Sequence, residues 1–279
     1  MSSQSPGFFI VTTVRNGQPF LSRAIESVTS QTYSNWRYLI IDAGSDDGSL
    51  DVARAAADQD ERIELAERPG EPLYQSLLWG LSQADGDMLA WLNADDYYAP
   101  WALQSLATHL AGTPAQWVSG LPVCWDETGA MQFLRPRGLH PQSWIAKGYF
   151  HLGALGFLQQ ETIFFSRSLF ERLTDEERAT FARQKLAGDY FLWKTFARHT
   201  PLKTLPCVLG GFRKHGRNMS GDHLDTYMAE VREIGGFFPS PRFAFMLRRA
   251  YEAIAALKTL RIMREAEARF LDEGSQKGD

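Results

Sequence analysis

The feature that most limits what this chain can fold into is a series of short, uninterrupted apolar runs, each followed by a helical segment. Phe8-Phe9-Ile10-Val11 precedes a helix opened by Pro19, in which Leu21, Ile25 and Val28 recur on one face; a proline in the first helical turn costs no hydrogen bond. Tyr38-Leu39-Ile40-Ile41 leads through the turn Ala43-Gly44-Ser45-Asp46-Asp47-Gly48 into a helix through Ala57, with Ser49 as the expected N-cap. Ile63-Glu64-Leu65-Ala66 comes before a helix from Pro72 with Leu73, Leu77 and Leu81 on one face. Met88-Leu89-Ala90-Trp91-Leu92 comes before another, with Leu103, Leu106 and Leu110. A strand wetted on one face alternates apolar and polar residues, whereas a run that is apolar throughout is covered on both. The pattern predicts an α/β fold: a mostly parallel, Rossmann-like sheet flanked by helices.

Past Trp117 the pattern loosens. Strands are expected at Gln116 to Trp125 and at Met131 to Leu134, followed by a Gly-, Pro- and aromatic-rich stretch from Pro136 to Phe157 able to hold a second ligand. Thr162-Ile163-Phe164-Phe165 leads into a short helix, a longer helix begins near Asp189, and a strand from Lys203 to Phe212 closes the globular part. From Pro241 to Leu271 helical spacing returns, with Phe243, Met246, Leu247, Tyr251, Ile254, Leu257 and Leu260 at three- and four-residue steps. Seven basic residues against three acidic ones fall between Arg242 and Arg269. Such a basic amphipathic helix can lie on an anionic bilayer, or it can pack on its own domain or on a second subunit.

The 279 residues suffice for a large core, and a net charge of −4 lacks the basic field of a nucleic-acid binder, so no nucleic-acid partner is expected. Cys124 and Cys207 sit in apolar surroundings that suit buried thiols in a reducing compartment, not a disulfide. No secretory pattern opens the sequence, and no window reaches the roughly 18 apolar residues of a membrane span. The expected location is cytoplasmic, with peripheral contact at the cytoplasmic face of the membrane through residues 241–271 as the variant that the basic helix allows.

The chemistry centres on Asn93-Ala94-Asp95-Asp96, directly after the most hydrophobic run. Ligands of open α/β sheets bind beyond the carboxyl ends of strands, so carboxylates here face the crevice. Neighbours in an extended segment point to opposite sides, which gives Asp95 and Asp96 different tasks: a ribose contact and a divalent-metal ligand, Mn2+ or Mg2+. The competing reading has the pair cap the helix near Pro100. Asp42, with Gly44-Ser45-Asp46-Asp47-Gly48, is a second candidate cluster, able to accept from a nucleobase N–H or to serve only the turn.

In order and spacing these segments resemble family 2 glycosyltransferases of the GT-A fold, especially the bacterial type of surface-polysaccharide assembly. The resemblance runs from about Phe9 to Ser220. It rests on Val11-Thr12-Thr13-Val14-Arg15-Asn16, Ser27-Val28-Thr29-Ser30-Gln31-Thr32-Tyr33, the Ile41 to Ser49 stretch, and Ala84-Asp85-Gly86-Asp87 through Asp96. It implies a GT-A domain over residues 1–235, with a nucleotide-binding half at about 7–115 and an acceptor-side half at about 116–235, before a C-terminal amphipathic helical tail at 236–279.

It further implies that Thr12 and Asp42 contact the nucleobase, Asp95 the ribose and phosphate, and Asp96 the metal. Glu161 in Gln160-Glu161-Thr162-Ile163, with Trp193, belongs to the acceptor side. Asp189 in Gly188-Asp189-Tyr190-Phe191-Leu192-Trp193 is the implied catalytic base, and Phe212-Arg213-Lys214-His215 with Ser220 closes over the donor diphosphate, His215 facing phosphate or metal and Arg213 or Lys214 adding charge. Plainer roles stand beside these: Asp189 as an N-cap, His215 as a surface or core histidine, Glu161 in an ion pair. The chain departs from the pattern at Ala43 and in the apolar segment Leu73 to Gly80. The implied reaction is inverting transfer from a nucleotide-diphosphate sugar of UDP, GDP or dTDP type to a glycan or lipid-linked hydroxyl. A sugar-phosphate nucleotidyltransferase would need a Gly-rich, basic loop where Val14-Arg15-Asn16-Gly17 stands. A non-catalytic interaction protein on the same scaffold is the other alternative.

Overall fold

The computed structural model describes residues 6–112, 115–218 and 223–275; Ser220 lies outside them. The apolar runs become strands β1 (Phe8–Val14), β2 (Trp36–Asp42), β3 (Ile63–Glu67) and β4 (Met88–Trp91). β1 sits between β4 and β2, and β2 pairs with β3, all parallel. Alternate residues of each run feed different cores. Phe8, Ile10, Tyr38, Ile40 and Met88 pack with α1 (Leu21–Thr29), α2 (Ser49–Gln59) and α4 (Ala102–Gly112) on one side. Phe9, Val11, Leu39, Ile41, Leu89 and Trp91 pack on the other with α3 (Leu73–Ser82), α7 (Asp175–Ala182) and α8 (Gly188–Phe196). Two-sided covering is what unbroken apolar strands require.

The chain then adds β6 (Trp117–Ser119), β9 (Ile163–Ser166) and β10 (Lys203–Thr204), giving the seven-stranded order β10-β6-β9-β4-β1-β2-β3. Only β9 runs antiparallel to its neighbours β4 and β6. A smaller sheet, β5-β11-β7-β8, combines β5 (Tyr97–Tyr98), β7 (Val123–Asp126), β8 (Met131–Leu134) and β11 (Gly210–Lys214). Helices α5 (Gln142–Ala146) and α6 (Arg167–Phe170) are short connectors.

Two expected strands are thereby corrected. Gln116 to Trp125 divides between the sheets at Gly120-Leu121-Pro122, and Lys203 to Phe212 divides at Pro206. Proline has no N–H for a ladder, and Gly120 lies so close to the Cys207 carbonyl that a Cβ there would come within 2.9 Å of it. The N-cap of α2 is also Gly48, in the left-handed region at φ 90°, not Ser49.

Helices α9 (Leu224–Glu233) and α10 (Pro241–Ser275) follow. α10 is docked by Tyr251, which donates to the Leu139 carbonyl at 2.8 Å, by Thr259, which accepts from the Gly138 N–H at 2.7 Å, and by buried Ala255. The expectation of one apolar face is corrected: Tyr251 is buried and Leu247 partly so, but Phe243, Met246, Ile254, Leu257 and Leu260 are exposed. Among the described residues no helix is long and apolar enough to cross a membrane.

Candidate active site

The carboxyl ends of β1, β2 and β4 open onto a cleft of about 1030 Å³ lined by Arg15, Asn93, Asp95, Glu161, Asp189, Lys214 and His215, among others. The acidic run after β4 is a turn, closed by the Asp96 N–H donating to the Asn93 carbonyl at 3.1 Å. It splits its two aspartates. Asp95 faces the cleft, and its Oδ2 accepts from His215 Nε2 at 3.0 Å. Asp96 is buried, with Oδ1 accepting from the Arg213 N–H at 2.7 Å and Oδ2 from Asn93 Nδ2 at 3.0 Å.

His215 is held on all sides. Its ring stacks on Phe20 at 4.0 Å between centroids, its N–H donates to Asn218 Oδ1 at 2.7 Å, and its Nδ1 accepts from the Arg217 N–H at 3.1 Å. Accepting at Nδ1 puts the proton of a neutral ring on Nε2, pointing at Asp95. Asn218 also donates to the Arg213 carbonyl at 3.0 Å. Phe20 and Asn218 were not anticipated. A short polar residue three positions after a histidine is the only sequence signal for Asn218, and Phe20 has none.

Asp189 stands in the first turn of α8 and lines the same cleft. Its Oδ1 accepts from the N–H of the adjacent Tyr190 at 2.7 Å. Burial pushes its carboxyl up to about 7, with the charges of Glu161 and Glu230 adding and the Tyr190 N–H opposing. The loop before it is fixed by a residue that sequence reasoning missed: Glu230 of α9 accepts from the N–H groups of Lys185 (2.7 Å), Leu186 (2.9 Å) and Ala187 (2.8 Å). A carboxylate so placed also complements the N-terminal dipole of α8. Gly188 admits the Tyr74 ring, which would lie 2.4 Å from a Cβ.

Four other candidates are relocated. Thr12 does not reach the cleft: fully buried, it donates to the Leu92 carbonyl at 2.6 Å and accepts from the Tyr38 hydroxyl at 2.8 Å, because strand alternation turns Thr13 to the cleft instead. Arg213 also alternates away. Its guanidinium lies over the Phe20 and Tyr97 rings at 5.2 and 4.8 Å, burial holds it below the usual arginine range, and Phe212 and Lys214 line the cleft in its stead. Trp193 is core, stacked on Trp91 at 5.3 Å and Trp117 at 5.9 Å. Glu161 does line the cleft, yet makes no ion pair among the described residues; its neighbour is the carboxyl of Asp96.

Asp42 is buried next to Ala43, which lines the cleft. Its Oδ1 accepts from the N–H groups of Gly44 and Ser45, both at 2.9 Å, while the buried Oδ2 has no partner. Asp47 serves structure, accepting from the N–H groups of Gln18 at 2.8 Å and Ser49 at 3.0 Å and so tying the loop after β1 to the second turn. Both cysteines are free thiols.

The donor set decides which residues suit a divalent cation. Among the described residues no three His, Cys, Asp or Glu side chains gather into a site. Asp95 offers a ligand open to the cleft, with the His215 ring 3.0 Å behind it, and hard cations of this kind often take one or two protein groups plus substrate phosphates. Asp96, implied as the metal ligand, is buried and does not line the cleft, and each of its oxygens accepts from an N–H group.

A family model described as "Glycosyl transferase family 2" matches residues 9–174. Glycosyltransferase AglE of Haloferax volcanii is 30% identical over 124 residues, 43% of this chain and 40% of that protein. The chain spans 40% or less of the length of the curated relatives it matches. S. aureus TarS 1–349, solved in complex with UDP-GlcNAc, shares the fold with a TM-score of 0.63 at 13% identity, over 82% of this chain and 65% of that one. Mannosyltransferase PcManGT from Pyrobaculum calidifontis, solved in complex with GDP-Man and Mn2+, does so with a TM-score of 0.55 at 19% identity, over 98% and 81%. These neighbours are GT-A glycosyltransferases, in agreement with the expected fold.

Proposed function

The chain belongs to glycosyl transferase family 2, and from that premise we propose that it is an inverting glycosyltransferase of cell-surface polysaccharide assembly. It takes a sugar from a nucleotide-diphosphate donor and delivers it to a hydroxyl of a glycan or lipid-linked acceptor. The observation that carries this reading is one cleft lined both by the Asp95–His215 pair, 3.0 Å apart, and by Asp189, a carboxyl raised to about 7. A base near neutrality and a site for a diphosphate are the two requirements of the reaction.

Asp189 accepts the proton of the acceptor hydroxyl as that oxygen bonds to the anomeric carbon. The bond from that carbon to the diphosphate breaks on the opposite side, and its electron pair leaves with the nucleoside diphosphate, so configuration inverts in one displacement. Asp95 and His215 would hold Mn2+ or Mg2+, which supplies electrophilic stabilisation of the leaving diphosphate. Lys214, Arg15 and Arg217 line the same cleft and add positive charge to it. The unpartnered Oδ2 of Asp42, under the turn at Ala43, suits an N–H of the nucleobase. Glu161 stays on the acceptor side as part of the cleft floor.

Release of nucleoside diphosphate from UDP-, GDP- and dTDP-sugars, with and without Mn2+, tests the reading. One donor is expected to be turned over slowly, with loss of turnover in Asp95→Ala and in chelator. Release untouched by both would overturn the cation assignment. No release from any donor, with or without acceptor, would favour a non-catalytic scaffold.

A further inference from the structure

Helix α10 has two apolar stripes, and only one is covered. On the docked side Tyr251, Ala255 and Thr259 are buried, Arg248 donates to the Leu152 and Ala154 carbonyls at 2.7 and 2.9 Å, and Glu252 pairs with Arg137 at 2.8 Å. With 3.6 residues per turn, Met246, Ala250, Ala253, Leu257 and Leu260 line up on the far side. Leu257 is 69% exposed and Met246 67%, with Ile254 and Leu260 above half. Cations run along this outer face and its edges: Arg249, Lys258, Arg261 and Arg264 are all exposed. Up to residue 265 the acidic side chains are Glu252 and Glu265, and each is already paired, with Arg137 and Arg261.

We propose that the outer face of α10 docks flat on an anionic bilayer, its leucines and methionine entering the headgroup boundary while Arg249, Lys258 and Arg264 meet lipid phosphates. The charge distribution selects this occupant. A second copy joined about a two-fold axis would set the same cationic stripe against itself, and the carboxylates of α10 among the described side chains, Glu252 and Glu265, are already paired. A spanning role is closed to α10, which is too polar to cross a membrane. An apolar stripe edged with arginine is the composition that binds in the interfacial plane. The docked side grips Arg137 and Leu152, both of which line the cleft. Docking would thereby tie the cleft to the helix that meets the bilayer, where an acceptor carried on lipid would arrive. That consequence rests on the sugar-transfer reading; the docking does not.

The test is co-sedimentation of the full chain with phosphatidylcholine vesicles, with and without phosphatidylglycerol. Binding is expected only with the anionic lipid. At about 1 kcal/mol per basic residue near the surface, Arg249→Gln with Arg264→Gln should lower partitioning roughly thirtyfold. Leu257→Glu should abolish it while leaving the thermal melt unchanged, since the side chain touches solvent. Equal sedimentation with both lipids, or binding indifferent to these substitutions, would overturn the proposal. So would a dimer in light scattering that Leu257→Glu splits.

Discussion

Asp189→Asn should remove transfer to the acceptor and, in the same chain, make the fold more stable at alkaline pH. The carboxyl is pushed up to about 7, chiefly by burial, with Glu161 and Glu230 adding. An unfolded aspartate titrates near 3.9. With the folded value the higher of the two, the favourable contribution is fully present below about pH 3.9 and is lost as pH rises through about 7. Between pH 5 and pH 8 the wild-type chain should lose at most about 3 kcal/mol from this group, and somewhat less because the carboxyl is partly open to the cleft. Asparagine carries no charge and loses nothing. The base works only as carboxylate, so wild-type transfer should rise about tenfold per pH unit up to about 7 and then level off, whereas Asp189→Asn should be slower by about 10²- to 10⁴-fold throughout. Initial rates of labelled-sugar transfer across pH, beside thermal melts at pH 5 and pH 8, measure both effects. A rate midpoint near 4, or undiminished transfer by the mutant, would refute the assignment of the base. A stability gap that does not widen with pH would refute the burial argument behind it.

The two aspartates of the acidic run should separate cleanly. Asp95→Ala should abolish the response of donor turnover to Mn2+ with stability within about 1 kcal/mol of wild type. Asp96→Ala should cost about 1–3 kcal/mol in a denaturant melt, because it strands the buried Arg213 N–H. Glu230→Ala, which strands three amides in the loop before Asp189, should lower kcat and cost roughly 3 kcal/mol, with Glu230→Gln recovering part of both. Gly188→Ala should force the Tyr74 ring or the start of α8 aside, lowering kcat with little change in donor KM and costing about 1–3 kcal/mol. Tyr74→Ala in the same chain should restore the room; continued loss of kcat in that double mutant would argue against the steric account.

What was legible in the sequence was whatever depends on local pattern. Unbroken apolar runs announced β1, β2 and β4, because a strand covered on both faces needs no polar alternation. The position of Asn93 to Asp96 after β4 put a carboxylate at the open end of the sheet. Side-chain direction was not legible in turns and short strands. A one-residue change of phase moves a side chain to the other face, and for this reason Thr12 gives way to Thr13 and Arg213 to Lys214. Trp193 was an acceptor contact only by the resemblance of its segment, and its packing against Trp91 and Trp117 puts it in the core. Glu230 was invisible for another reason: it acts from α9 across 43 to 45 positions of chain, on backbone groups that carry no residue-specific signal.

The inward half of the acidic run explains why the outward half is free for ligand. Asp96 and Glu161 are both buried, and burial raises both carboxyls, Asp96 further by the neighbouring charge of Glu161. Two buried carboxylates close together cannot both be charged at low cost, which is why each is raised. A pair committed in this way has little to offer a cation. What it offers is connection: Asp96 holds the Arg213 amide of β11, and Glu161 belongs to the short helix that leads into β9. Three segments distant in sequence thus meet around Asp96. From that anchored strand β11 runs on to Lys214 and His215, and the imidazole of His215 reaches Asp95. The Asp95–His215 pair has its geometry because Asp96 fixes the strand that delivers His215.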